Sequence, residues 1–153
     1  VANQMGAICQ ESSNGLYVQA PEELQALIYL QTGEYPGFPT DLQSAVTVSA
    51  LRAKGKSVIE ETIFENRFHI VEPLKSMGAD IQILDSNRII INGGKRLWGE
   101  TVMAKELRGG AAMVLAGLMA SDKTYISGCK YIMRGYENIC KDLRELGARV
   151  VSV

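Results

Sequence analysis

At 153 residues, 46% of them hydrophobic and 22% charged, the chain has the composition of one globular domain able to bury a core without staples. A formal net charge of −1 gives no basic footprint for nucleic acid, and the longest apolar run, Ala111 to Ala120, is too short to span a bilayer. Cys9, Cys129 and Cys140 have neither metal nor redox spacing and their number is odd, so they suit a reducing cytoplasm better than a disulfide scaffold.

In chain order, the opening "VANQMGA" carries no leader-like apolar stretch and reads as the tail of an element, so the chain is expected to be a piece of a longer protein. "GLYVQA" (15–20) and "ALIYLQ" (26–31) read as strands, and "EYPGFPTD" leads into an apolar helix over 41–54. A strand is expected over 56–63, a shorter helix over 69–77 and a strand at "NRIIIN" (87–92). The pattern then recurs: "ETVMAK" (100–105) as a strand, a helix over 108–121, a strand over 123–131 and a helix over 136–146.

The recurrence is an internal repeat. "MGAICQ", "MGADIQI" and "LGARVVSV" are three copies of one helix-end joint leading into a strand, with glycines at 6, 78 and 147. A glycine there admits the left-handed cap. Shifting the chain by 67 residues lays Leu51 on Leu118, Ala53 on Ala120, Lys56 on Lys123, Ile59 on Ile126 and Arg67 on Arg134. The unit is βαβαββ: residues 1–22 end one unit, 23–95 form a whole one and 96–153 most of the next. "SVIEETI" and "ADIQILD" mix polar and apolar positions as one-sided sheets do, whereas "AAMVLAGLMA" is apolar all round. Helices inside and sheets outside are therefore expected.

The polar residues gather at helix entrances, where free N–H groups and the dipole attract anions. Thr40 and Gln43 fit a T-x-x-Q capping box with Thr40 as the cap, which leaves Asp41 in the first turn. Two readings of Asp41 stand: an acid placed to suit the dipole, worth about 0.3–1 kcal/mol, or a base for a substrate hydroxyl. Its counterpart in the next unit is Arg108, a cation opposed to the dipole and followed by Gly109-Gly110. Arg67 and Arg134 also occupy matched turns. Together these residues suggest a polar rim for an anionic or phosphorylated ligand, or else a solvated salt-bridge network. His69, Cys129, Cys140 and Trp98 read as surface or packing residues, and "NGGKRLWG" lacks phosphate-loop spacing.

"PGFPTDLQ", "ETIFENRF", "ELRGGAAMVLAGL" and "RGYENICKDLRELGA" resemble the enolpyruvyl transferase family, and within it the type that acts on UDP-N-acetylglucosamine in peptidoglycan precursor synthesis. The resemblance spans essentially the whole chain. It implies an α/β fold, the inside-out α/β barrel of EPSP synthase-like proteins, built from two domains of three βαβαββ units each. One of those domains is missing here and is the expected partner of this chain. It also implies transfer of enolpyruvyl from phosphoenolpyruvate to the 3-hydroxyl of UDP-N-acetylglucosamine, without metal or other cofactor and without nucleic-acid or membrane partners. By the same resemblance Asp41 meets that hydroxyl as base, and Ile63, Phe64 and Glu65 lie by the nucleotide-sugar. Arg67 supports the site, and Arg108 and Arg134 face the cleft, Arg134 toward the phosphate of phosphoenolpyruvate. Met133 and Tyr131 stand where the family often has an acid and a histidine. The alternatives are a shikimate-pathway type of the same family, or a non-catalytic repeat that binds a nucleotide-sugar or a protein.

Overall fold

The computed structural model describes residues 1–152. Its first regular elements are a 3-10 turn (Asn3–Met5), β1 (Ile8–Ser12), β2 (Gly15–Gln19) and β3 (Leu30–Gln31). A second 3-10 turn (Thr40–Leu42) runs into α1 (Gln43–Arg52), followed by β4 (Gly55–Glu60), α2 (Val71–Ser76), β5 (Ile81–Ile83) and β6 (Arg88–Gly93). Then come β7 (Thr101–Met103), α3 (Leu107–Met119), β8 (Tyr125–Ser127), α4 (Cys129–Ile132) and α5 (Ile139–Glu145). The fold is α/β.

β1 and β2 form an antiparallel hairpin. The central sheet runs β3-β4-β6-β5, with β3 parallel to β4 and the other neighbours antiparallel. β7 and β8 pair in parallel, as β3 and β4 do one repeat earlier. α1 and α3 end at Arg52 and Met119, in register with the 67-residue shift. The three joint glycines share one backbone state, with φ of +91°, +94° and +91° at Gly6, Gly78 and Gly147.

Alternation in the strands puts one face into the core. Ser57 and Ile59 of β4 and Ile89 and Ile91 of β6 are buried, and Ile59 pairs with Ile89 in the ladder. Leu74 of α2 and Met77 at its C-cap join the same core, as do Val48 and Leu51 of α1 and Met113 and Ala116 of α3. α1 packs on both α3 and β6, and the small buried residues of α3 (Gly109 to Ala112) permit close approach. The apolar-all-round expectation for α3 is met only in part, since Leu115 and Leu118 stand exposed at 37% and 41%.

Four expectations are corrected. The strand read over 26–31 is a two-residue ladder, because the Leu27 amide donates to the Ser57 hydroxyl instead of a backbone carbonyl. The strand read over 123–131 stops at Ser127, where Gly128 turns left-handed (φ +73°) against the Ala104 backbone and α4 begins. The run after Gly147 forms no strand through residue 152, since it finds no partner to pair with among the described residues. Finally, Thr40 does not cap the helix. Its hydroxyl donates to Glu61 Oε2 at 2.8 Å, while Gln43 turns its amide to Thr47 at 3.3 Å.

Trp98 is half exposed, with its ring laid across Gly78 and its Nε1 donating to the Ser76 carbonyl at 2.8 Å. A Cβ at Gly78 would fall 2.6 Å from Trp98 Cη2 on a backbone already at φ +94°. Gly78→Ala is therefore expected to destabilise the fold by about 2–4 kcal/mol, through left-handed strain and overpacking together. Urea unfolding of the variant checks it; a loss below about 0.5 kcal/mol would contradict this packing.

Candidate active site

The extended Pro39 (ψ 131°) delivers the chain into the 3-10 turn that carries Asp41 at the mouth of α1. The Asp41 side chain is 55% exposed; its Oδ2 accepts from Arg108 Nη2 at 2.8 Å and its Oδ1 from Arg67 Nη2 at 3.4 Å. Asp41 and Arg108 hold the same place in successive repeats, 67 residues apart, so the two helix mouths meet through an ion pair. The hydrogen bond and charge of Asp41 hold the Arg108 guanidinium above its ordinary pKa. Pairs this exposed contribute about 0–1 kcal/mol. Stability alone therefore gives little reason to bring three charged side chains together at this mouth.

Arg67 leaves a turn whose Asn66 has φ +53°, a left-handed state that asparagine tolerates better than most residues. Its guanidinium lies 4.9 Å from the centroid of the Phe64 ring, so the ring face and the Asp41 carboxylate share one cation. Ile63 and Phe64 are exposed at 38% and 51%, presenting apolar surface beside the charged mouth. Glu65 is exposed in the same turn and makes no ion pair among the described residues.

Beneath this turn lies Glu61, which the sequence reading passed over. It is 1% exposed and accepts four hydrogen bonds. Its Oε1 takes them from Thr32 Oγ1 (2.9 Å), the Ile63 amide (2.8 Å) and the Phe64 amide (3.1 Å); its Oε2 takes one from Thr40 Oγ1 (2.8 Å). Thr32 Oγ1 in turn accepts from the Thr62 amide at 2.9 Å. Burial pushes the Glu61 carboxyl upward, but the Thr40, Ile63, Thr32 and Phe64 hydrogen bonds outweigh it and hold the group below its ordinary value. The one sequence signal was an acid directly followed by "TIF", whose two amides it could reach at i+2 and i+3.

At the second mouth Glu106 is the N-cap of α3, accepting from the Arg108 amide at 2.9 Å and from that of Gly109. The glycines there are packing requirements: a Cβ on Gly109 would sit 2.9 Å from Ile70 and one on Gly110 2.7 Å from Ile132. Gly135 lies against the Leu107 side chain, which brings the turn bearing Arg134 beside the start of α3. Arg134 is exposed and makes no ion pair among the described residues. The structure thus joins Asp41, Arg67, Arg108 and Phe64 directly, ties Ile63 to them through Glu61, and leaves Glu65 and Arg134 outside that set of contacts. Met133 is exposed, and Lys130 lies 5.2 Å from the Tyr131 ring centroid.

A cleft of about 180 Å3 lies at the other end of α1, lined by Arg52, Gly94, Lys95, Arg96, Leu97 and Met119. Arg52 stands in the last turn of α1, where positive charge offsets the helix dipole. Among the described residues no group of three His, Cys, Asp or Glu side chains could hold a metal ion, and no helix is long and apolar enough to cross a membrane.

The sequence pattern of the family described as EPSP synthase (3-phosphoshikimate 1-carboxyvinyltransferase) matches residues 1–143. The chain belongs to that family. It is 46% identical over 145 residues to the UDP-N-acetylglucosamine 1-carboxyvinyltransferase of Thermodesulfovibrio yellowstonii, covering 95% of this chain and 34% of that protein. The enzyme of the same name from Streptococcus pneumoniae serotype 2 is 43% identical over 147 residues, covering 96% and 35%. The chain therefore spans about a third of the length of the curated relatives it matches. Among solved structures, the enolpyruvyl transferase NikO from Streptomyces tendae superposes with a TM-score of 0.86 at 23% identity, over 96% of this chain and 34% of that one. EPSP synthase from Acinetobacter baumannii gives 0.59 at 20% identity, over 81% and 30%. Both share the fold.

Because the Glu61 carboxyl is lowered in the folded state, its share of stability is complete above the ordinary glutamate range and is lost as pH falls through the lowered value. The melting temperature is expected to drop as pH falls below the ordinary glutamate range, and Glu61→Gln to flatten that drop while lowering stability at neutral pH. Parallel pH–Tm curves for the two proteins would contradict the assignment.

Proposed function

We propose that this chain forms part of a UDP-N-acetylglucosamine 1-carboxyvinyltransferase, supplying half of its active site. The observation that carries the reading is an exposed Asp41 held between Arg67 and Arg108 at paired helix mouths. This arrangement sits in a chain 43–46% identical to enzymes of that name. The 3-hydroxyl oxygen of UDP-N-acetylglucosamine forms a bond to the enol carbon of phosphoenolpyruvate, and the C–O bond to phosphate breaks. Asp41 takes up the hydroxyl proton, which finally leaves with the phosphate. Arg108 and Arg134 meet the anionic charge, with Arg134 on the phosphoenolpyruvate phosphate. Arg67 supports the site as a second cation beside Asp41, and Ile63, Phe64 and Glu65 line the nucleotide-sugar side.

The rest of the protein closes the cleft, the whole being an inside-out α/β barrel of βαβαββ units in which residues 23–95 form one unit. The three free thiols suit a cytoplasmic setting. The far lower identity to the solved EPSP synthase, 20%, sets the shikimate-pathway type second.

In the full-length protein Asp41→Ala is expected to lower kcat by about 10²–10⁴ with folding intact, as removal of a general base does. Near-wild-type phosphate release from the two substrates would refute the role. Arg134→Ala should raise the KM for phosphoenolpyruvate by about tenfold or more, the loss of one charge-assisted contact of about 1.5–3 kcal/mol. Steady-state kinetics at varied phosphoenolpyruvate measures it, and an unchanged KM would remove Arg134 from the phosphate site.

A further inference from the structure

Two loops must hold a fixed relation at this mouth: the 3-10 turn with Asp41 and the turn with Phe64 and Arg67. They are 20-odd residues apart in sequence, and their direct link is the long Asp41–Arg67 contact at 3.4 Å between partly exposed groups. A contact of that length and exposure cannot fix an angle. Glu61 can. Its Oε2 holds the hydroxyl of Thr40, the residue before Asp41, while its Oε1 holds the amides of Ile63 and Phe64, the residue under the Arg67 guanidinium. Glu61, Thr40, Asp41, Arg67 and Phe64 therefore form a closed ring, of which one side is buried and the other open.

A fully buried carboxylate is costly unless its oxygens are well partnered, so its site tolerates few alternative geometries. A core needing only to fill this volume would be served better by an apolar residue of similar size. Thr32 extends the same clamp to the end of β3, since its hydroxyl bridges Glu61 and the Thr62 amide, and its carbonyl accepts from the Thr62 hydroxyl at 2.7 Å. The mouth is thus referred back to the central sheet through hydrogen bonds alone.

We propose that Glu61 is a positioning residue for the transfer reaction, setting the Asp41 carboxylate and the Ile63–Phe64 edge in register through Thr40 and the two amides. This rests on the reading of Asp41 given above. Glu61 itself touches no substrate; it acts through its neighbours.

The test uses the full-length protein with Glu61→Gln, Thr40→Val and Thr40→Ser, assayed for phosphate release from phosphoenolpyruvate and UDP-N-acetylglucosamine. Glu61→Gln keeps the shape but removes the charge, and Thr40→Val removes the single bond to the Asp41 turn. Each is expected to lower kcat by up to about 10²-fold, the scale of a small displacement of a reacting group. The KM for phosphoenolpyruvate should stay within about twofold, since the phosphate contacts are elsewhere. Thr40→Ser should restore kcat, and the Glu61→Gln/Thr40→Val pair should lose no more than either alone. In an Asp41→Asn background, whose residual turnover is measured at high enzyme concentration, Glu61→Gln should cost nothing further. A lowered Tm with unchanged kcat in both single variants would make Glu61 purely structural and overturn the proposal. An undiminished loss in the Asp41→Asn background would do the same, because Glu61 would then act independently of Asp41. Full turnover by Asp41→Asn alone refutes the reading of Asp41 first, and the positioning role with it.

Discussion

The constraint on which the site depends is the burial of one carboxylate. Glu61 is withdrawn from water at the end of β4, and its charge survives there only because two hydroxyls and two amides point at it. Those four donors come from three separate stretches of chain. Satisfying one oxygen pair therefore fixes the end of β3, the approach to α1 and the turn after β4 relative to each other. The apolar core around Ile59, Ile89 and Met77 supplies the bulk of the stability, but burial is non-directional and would permit these loops several arrangements. Hydrogen bonds to a buried charge permit very few.

On this rigid base the repeat does something that a single unit could not. Asp41 and Arg108 stand at equivalent places in consecutive units, and the packing of α1 against α3 brings the two helix mouths side by side. Identical residues there would repel or ignore each other. Opposite charges let the two mouths pair, and they leave Arg67 as an additional cation on the same carboxylate. Arg108 still opposes the dipole of α3, and Glu106 at the N-cap offsets this by accepting from the first amides. The local cost of the arginine is absorbed by its neighbours, which is how a residue unfavourable to its own helix can be kept at an anion-attracting position.

Much of this was legible from the residues. The joint glycines announced the repeat, and all three adopt the left-handed state their spacing required. The mixed polar and apolar positions of β4 and β5 announced a sheet with one buried face. The mismatch of Arg108 with its dipole left an anion-binding rim and a salt-bridge network both open, and in the structure Arg108 pairs with Asp41. What escaped was whatever depended on long-range partners. Thr40 and Gln43 satisfied the local rule for a capping box, yet a buried carboxylate 21 residues away competes for the same hydroxyl and wins, being charged. Glu61 escaped because its neighbour Glu60 looks the same in sequence. Glu60 faces the partly solvated side with Tyr29 and Arg88, and only the path of the chain beyond β4 turns Glu61 inward. Gly128 ended a strand early for a similar reason, its close contact with the Ala104 backbone being invisible without the fold.

The site divides its polar groups by exposure, and the magnitudes explain the division. Ion pairs as open as those of Asp41 are worth about 0–1 kcal/mol each and are readily exchanged for contacts with an incoming anion or hydroxyl. The hydrogen bonds on Glu61 are shielded from solvent, and removing one leaves a buried group unsatisfied at about 1–3 kcal/mol. A ligand can therefore rearrange the outer pairs without disturbing the inner clamp. Had the exposures been reversed, with Asp41 buried among its arginines and Glu61 in water, the pairs would be too costly to open and the loops too loose to aim them. The order found is soft contacts resting on a hard one: the Asp41 pairs stay exchangeable while the Glu61 clamp keeps the turn that bears them in place.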